Sequence, residues 1–267
     1  MTMPDPIFSL QQGTIPLLIS IPHMGTTLEP QIAENFTQVA GFVDDTDWHL
    51  DRLYSFARDG GASFLTPVYS RYIIDLNRPP DDENLYPGQD TTGLCPVDTF
   101  DKEPLYLTGR EPSEQEKQRR RQLFWEPYHA ALQAELQRIR QKHGYAVLWE
   151  AHSIRSEISR FFPGKLTDFN FGTANNQSAH PQLCSVLAQQ IEQDGQFTAA
   201  ANGRFKGGYI TRQYGNPAQR IHAVQLELTQ IAYMEESRPF AYDEAKAARV
   251  TPLLQQALET TLRYAQM

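Results

Sequence analysis

Two histidines each close an apolar run. His23 ends Ile15-Pro16-Leu17-Leu18-Ile19-Ser20-Ile21-Pro22-His23, and His152 ends Leu148-Trp149-Glu150-Ala151-His152. Between them lies Asp75-Leu76-Asn77-Arg78. A strand fixes the backbone at its end, so an imidazole placed there is aimed. Aimed imidazoles are common ligands of divalent cations, and a catalytic site takes three ligands from His, Asp and Glu and leaves a position for water. An arginine adds a planar fork that matches a carboxylate. The combination predicts metal-assisted hydrolysis of a substrate that carries a carboxylate.

A third ligand is required. Asp44-Asp45-Thr46-Asp47-Trp48-His49 supplies several candidates at the start of a predicted helix, where acids also serve as caps. Glu227 is the candidate general base. In His222-Ala223-Val224-Gln225-Leu226-Glu227-Leu228 it shares the polar face of a strand with Gln225, where a carboxylate is costly unless paired or near a cation. Glu150 is the competing base, but it falls on the same strand face as His152 and can instead be a partner behind that ring. Arg71 and Arg78 flank one segment. Either can meet a carboxylate or an oxyanion, or simply pair with Asp81 or Asp82. Asn202-Gly203-Arg204-Phe205-Lys206-Gly207-Gly208-Tyr209-Ile210-Thr211-Arg212 is an anion-binding loop or a plain glycine-containing hairpin, with Lys206 and Arg212 as its cations. It lacks Walker and GxGxxG spacing, and no GxSxG elbow occurs in the chain.

The elements that must position these residues follow from periodicity. Apolar runs predict strands over 15–21, 62–67 and 145–149, and alternation predicts strands over 70–76 and 222–228. Helices are expected over 45–57, from a capping box at Ser113 to about Lys142 with a kink at Pro127, over 181–192 and over 242–264. Residues 79–112 and 161–173 read as loops, the first long enough to be functional. Strands separated by helices give an α/β layered sheet, and ligands gather at the carboxyl ends of such strands.

The bulk numbers agree with a single domain spanning residues 1–267, with 40% apolar and 21% charged residues. A net charge of −8 argues against nucleic acid as a partner, while a few local arginines still suffice for a small anion. No run approaches the roughly 18 apolar residues of a membrane span. The first residues show no basic and apolar leader, and Cys95 and Cys184 are too few for a disulfide framework, so a cytoplasmic location is expected. Oligomeric state leaves no signal.

Six stretches together resemble the N-formylglutamate amidohydrolase family. They are Ile21-Pro22-His23-Met24-Gly25-Thr26, Asp45-Thr46-Asp47-Trp48-His49, Asp75-Leu76-Asn77-Arg78, Ala151-His152-Ser153-Ile154, the segment from Asn202 to Arg212, and His222-Ala223-Val224-Gln225-Leu226-Glu227. They occur in order from about residue 15 to 235. The resemblance implies a three-layer α/β sandwich with a mixed central sheet, phosphorylase/hydrolase-like and similar to zinc carboxypeptidases and aspartoacylases. It implies one divalent metal, zinc first, with cobalt, iron or manganese as alternatives, held by His23, His152 and Asp47, with His49 as the fallback ligand. Relatives commonly carry a glutamate three residues after the first histidine, where this chain has Thr26. The resemblance also makes Glu227 the base, puts Arg71 near the oxyanion, and places Asn77 and Arg78 on the substrate carboxylate, helped by Lys206 or Arg212. The implied substrate is a small dianionic amino acid, N-formyl-L-glutamate, cleaved to formate and L-glutamate late in histidine degradation. A hydrolase of N-acetyl or N-succinyl amino acids and a non-catalytic binding module are the competing expectations.

Overall fold

The computed structural model describes residues 6–85 and 87–267. Its strands are β1 (Phe8–Gln11), β2 (Leu17–Ser20), β3 (Ser63–Pro67), β4 (Ala146–Ile154), β5 (Phe169–Gly172), β6 (Ala199–Ala201) and β7 (Ile221–Thr229). Its helices are α1 (Pro30–Ala33), α2 (Leu50–Leu53), α3 (Ser55–Asp59), α4 (Glu114–Arg120), α5 (Glu126–His143), α6 (Leu183–Asp194), α7 (Tyr209–Tyr214) and α8 (Glu244–Gln266). The strands form one sheet in the order β1-β3-β2-β4-β7-β5-β6. β3, β2, β4 and β7 are mutually parallel, and β1 and β5 enter antiparallel beside β3 and β7. The sheet is therefore mixed, as expected.

Alternation along the central strands builds two cores. Leu17, Ile19, Val147, Trp149, Val224 and Leu226 face α6, α8 and the α2–α3 pair. Leu18, Leu148 and Ala223 face α5 and the irregular chain around residues 72–76. Helical layers thus cover both sheet faces, which is why β2 and β4 read as nearly unbroken apolar runs. Each fully buried aliphatic side chain among them stabilises by about 1.5–3 kcal/mol relative to exposure. Among the described residues, no helix is long and apolar enough to cross a membrane.

Several local expectations change, each for a physical reason. Residues 70–76 form no strand. The buried oxygens of Ser70 and Asp75 capture local amides instead: Tyr72 N donates to Ser70 Oγ at 3.2 Å and Asn77 N to Asp75 Oδ1 at 2.9 Å. The helix expected over 45–57 begins only at Leu50, because Asp47 N is committed to the His23 carbonyl at 3.0 Å and His49 sits in the left-handed region at φ 60°. Ser113 caps the helix, its Oγ accepting from Glu116 N, while the Glu116 carboxylate accepts from Arg119 and Arg120 instead of closing a capping box. At Pro127 there is no simple kink. A π-turn over Arg121–Trp125 precedes it, and the proline occupies the first turn of α5, where its missing N–H costs least. β4 runs five residues beyond the expected Trp149, so His152 lies within the strand and pairs in register with Glu227 of β7. β5 lies inside the expected 161–173 loop.

Candidate active site

The parallel strands deliver their polar ends to one edge. His23 follows β2, His152 rides on β4 and Glu227 on β7. Side-chain alternation places Ser20, Glu150, His152, Gln225 and Glu227 on the same sheet face as Leu18 and Leu148. Asp47 reaches that edge because its amide is tied to the carbonyl of His23.

Both imidazoles turn toward one carboxylate oxygen. Asp47 Oδ2 lies 3.0 Å from His152 Nδ1 and 3.7 Å from His23 Nδ1. The ring centroids are 4.8 Å apart, and all three side chains are buried. The far nitrogen of each ring meets other groups. His23 Nε2 is 2.6 Å from Asp75 Oδ1; His152 Nε2 is 3.1 Å from Asn77 Nδ2 and 3.5 Å from Glu150 Oε2. Metal-ligating histidines characteristically use one nitrogen for the ion and bind a carboxylate or carbonyl with the other.

The donor set fits a cation. Bonds of 2.0–2.1 Å in a tetrahedral shell put ligand atoms roughly 3.3 Å apart, between the two Asp47–imidazole separations, and all three ligand atoms lie within 4.8 Å of one another. Electrostatics agree. Burial, reinforced by the Arg71 charge, lowers His23 to about 4 and keeps it neutral, as a ligand must be. Burial would lower His152 too, but the hydrogen bond to Asp47 and the nearby Glu150 carboxyl overcome it and raise the ring to about 10. The proton His152 holds is the positive charge that two neighbouring carboxylates demand, and a ligated ring releases it. Both oxygens of the fully buried Glu150 lack a hydrogen bond. His152 Nε2 is the nearest cationic partner, at ion-pair rather than hydrogen-bond distance.

The other acids of the 44–49 stretch are employed elsewhere. Asp45 accepts from Phe100 N at 2.9 Å, Asp44 pairs with Arg238, and His49 Nε2 meets the Phe240 carbonyl at 2.7 Å. Asp47 is the member of this stretch that joins the two histidines.

Arg71, Asn77 and Arg78 converge on the same place, and the surface pairing with Asp81 or Asp82 is not what organises them. Asp75 does so. Its Oδ2 accepts from Arg71 Nη2 at 2.7 Å and lies 3.8 Å from Arg78 Nε, while its Oδ1 takes Asn77 N and faces His23. Burial alone would raise Asp75, but the contact with His23 and the charges of Arg71 and Arg78 outweigh it and hold the carboxyl well below the ordinary range. Asp75 belongs to the Asp-Leu-Asn-Arg stretch, yet sequence reading gave it no role, because its value lies in contacts made across 52 residues. From behind, the π-turn and α5 fix this segment: Trp125 Nε1 donates to the Arg78 carbonyl at 3.1 Å, and His129 Nε2 of α5 lies 2.9 Å from the Leu76 carbonyl. Burial lowers His129 to about 3, so it stays a neutral donor there.

Glu227 is buried beside this group. Burial, together with the Asp47 charge, pushes its carboxyl up to about 8 against the opposing charges of His152, Arg71 and Arg204. His23, Arg71, Asp75, Asn77, Arg78, His152 and Glu227 line one open cleft, together with Phe100 and Phe161, whose rings meet edge-to-face at 5.0 Å.

The 202–212 segment corrects one expectation. Lys206 and Arg212 are not among the cleft's lining residues, whereas Arg204 is. Arg212 is exposed on α7, and its Nε donates to the Gly207 carbonyl at 2.8 Å. The segment is no hairpin; after β6 it folds back across β5. A Cβ at Gly172 would lie 2.5 Å from Gly207 N, and one at Gly208 would lie 2.4 Å from Asn77 Nδ2, so neither position has room for a side chain. Gly208 N donates to Gln225 Oε1 at 2.7 Å, and Ile210 N to Asn77 Oδ1 at 2.9 Å. The glycines bring backbone amides against Asn77 and Gln225. That, more than an anion-binding nest, explains the motif.

Comparison with known proteins is consistent with this geometry. A family model described as N-formylglutamate amidohydrolase matches residues 15–234. A Pseudomonas putida protein named N-formylglutamate deformylase is 49% identical over 260 residues, covering 97% of each chain. A Pseudomonas aeruginosa protein of the same name is 46% identical over the same share of both chains. The crystal structure of an N-formylglutamate amidohydrolase from Ralstonia eutropha JMP134 superposes with a TM-score of 0.78 at 26% identity, covering 97% of each chain.

Proposed function

The chain belongs to the N-formylglutamate amidohydrolase family and is an amidohydrolase, and from that premise we propose that it hydrolyses N-formyl-L-glutamate to formate and L-glutamate with the aid of one divalent cation. The observation that carries this reading is the cluster of His23, Asp47 and His152, whose two histidines line the cleft that Glu227 and three arginines also border. Zinc is the first expectation for two imidazoles and a carboxylate, and cobalt, iron or manganese suit the same donors.

When bound, such a cation supplies Lewis-acid polarisation of the amide oxygen and a more acidic water. The chain's own residues do the rest. Glu227 takes the proton of the attacking water and hands it to the departing nitrogen. Arg71, held by Asp75, faces the oxyanion of the tetrahedral adduct. Asp75 fixes His23 and Arg71 at once, so the ligand and the oxyanion partner are set by one carboxylate. Asn77 and Arg78 take the α-carboxylate beside the scissile amide. Formate and L-glutamate are suitable products for the last step of histidine degradation, where we place the reaction, in the cytoplasm and within a single domain.

The test is formate release from N-formyl-L-glutamate compared with release of acid from N-acetyl- and N-succinyl-L-glutamate. Preference for the formyl compound is expected. Faster cleavage of either larger acyl group overturns the assignment, and no turnover of any of the three favours a binding module. A further expectation concerns Gly208. Gly208→Ala drives a methyl group into the Asn77 amide, which Ile210 N and His152 hold from other sides. Overpacking of that kind costs about 1–3 kcal/mol. KM for N-formyl-L-glutamate should rise by about tenfold or more with a smaller change in kcat, as measured by steady-state kinetics.

A further inference from the structure

We propose that Arg204 recognises the side-chain carboxylate of the substrate and so determines that the enzyme takes glutamate rather than a neutral amino acid. This rests on the deformylase reading and deepens it. A dianionic substrate needs two cationic partners at different distances from the scissile amide. The α-carboxylate is attached next to the amide nitrogen, so its partner must stand close to the ligand cluster. Asn77 does, with its amide 3.1 Å from His152 Nε2, and it brings Arg78 with it. The second carboxylate lies further along an extended side chain and needs a cation elsewhere in the cleft.

The arginines that line the cleft are Arg71, Arg78 and Arg204. Arg71 is locked against Asp75, and Arg78 lies within reach of the same carboxylate and of Thr92 Oγ1 at 3.2 Å. Both stem from the segment after β3. Arg204 comes from a separate part of the chain, the return that follows β6. Its Nε donates to the Phe161 carbonyl at 2.7 Å and its guanidinium lies 5.2 Å from the centre of the Phe205 ring. These contacts fix the plane of a half-buried fork before any ligand arrives, which is what bidentate carboxylate recognition requires. Phe161 and Phe205 border the same cleft and supply apolar surface for the methylenes of an amino-acid side chain.

The experiment compares kcat/KM for N-formyl-L-glutamate and N-formyl-L-glutamine, which differ only in the charge and donors at the end of the side chain. The unmodified enzyme should prefer the glutamate compound strongly. In Arg204→Gln that preference should fall by about 30- to 100-fold, the size of one or two charge-assisted hydrogen bonds. The ratio cancels any change Arg204 imposes on Glu227, because both substrates share the base. Arg204→Lys, the gentler substitution, keeps a charge and loses the fork, so its preference should fall by less and in the same direction. An unchanged ratio in both variants overturns the role of Arg204 and leaves the deformylase reading standing. Formate release from neither compound by the unmodified enzyme overturns that reading and this inference with it.

Discussion

Glu227→Gln is expected to lower kcat for formate release by about a thousand-fold, within the range of a lost general base, while cation content stays the same. Glutamine keeps the shape and burial of the side chain and cannot take a proton from water. Steady-state kinetics with metal analysis of both proteins tests this directly, and turnover within tenfold of the unmodified enzyme would remove Glu227 from the base role. The same substitution has a second, opposite effect. Burial and the nearby Asp47 charge raise Glu227 from 4.5 to about 8, so ionising it in the folded chain is uphill. For an acid raised in this way, the favourable contribution is complete below its ordinary value and is lost as pH climbs through the folded value. Glutamine never ionises. The metal-free variant should therefore unfold at a higher temperature than the metal-free parent, with the gap opening between pH 4.5 and 8 and level above that. A catalytic group that costs stability is what an active site often holds. A bound cation favours the carboxylate, so the rising limb of kcat/KM against pH should fall below pH 8 in the loaded enzyme.

Arg71→Met is expected to reduce kcat by about 100- to 1,000-fold through loss of the oxyanion partner. It should also destabilise the fold by about 3 kcal/mol, because it strips a buried carboxylate of its guanidinium. Arg71 Nη2 is 2.7 Å from Asp75 Oδ2, and both side chains are buried. Asp75 would retain His23 at 2.6 Å, which would then be drawn toward the protonated form by the unshared charge. Arg71→Lys separates the two effects. A lysine restores charge beside Asp75 and recovers part of the stability, but lacks the fixed fork and should recover little of the rate. Urea unfolding and kcat measured on the same preparations decide the matter. A variant that loses stability with kcat intact would make Arg71 a purely structural partner of Asp75.

Much of this site could be read in the sequence, because its parts hang on regular elements. His23 and His152 follow or sit on strands announced by apolar runs, Glu227 on one announced by alternation, and parallel pairing of β2, β4 and β7 brings their ends together. The layered α/β class followed from strands separated by helices along the chain. What could not be read depends on irregular backbone. The 70–78 segment looked like a strand by pattern, yet Ser70 and Asp75 bend it into turns through their own side chains. Asp75 becomes the hub of the site only through that bend. Lys206 and Arg212 were the obvious cations of their segment by charge. Arg204 lines the cleft because Gly172 and Gly208 let the chain fold back where no Cβ would fit. Spacing along the chain carries no record of such a reversal.

The central claim, that His23, Asp47 and His152 jointly hold one cation on which hydrolysis depends, is tested most directly by counting metal per chain and assaying formate release before and after complete chelation. One cation per chain, loss of turnover on its removal, and recovery on adding zinc, cobalt, iron or manganese back is the predicted result. Undiminished release of formate from a protein stripped of every metal would contradict it.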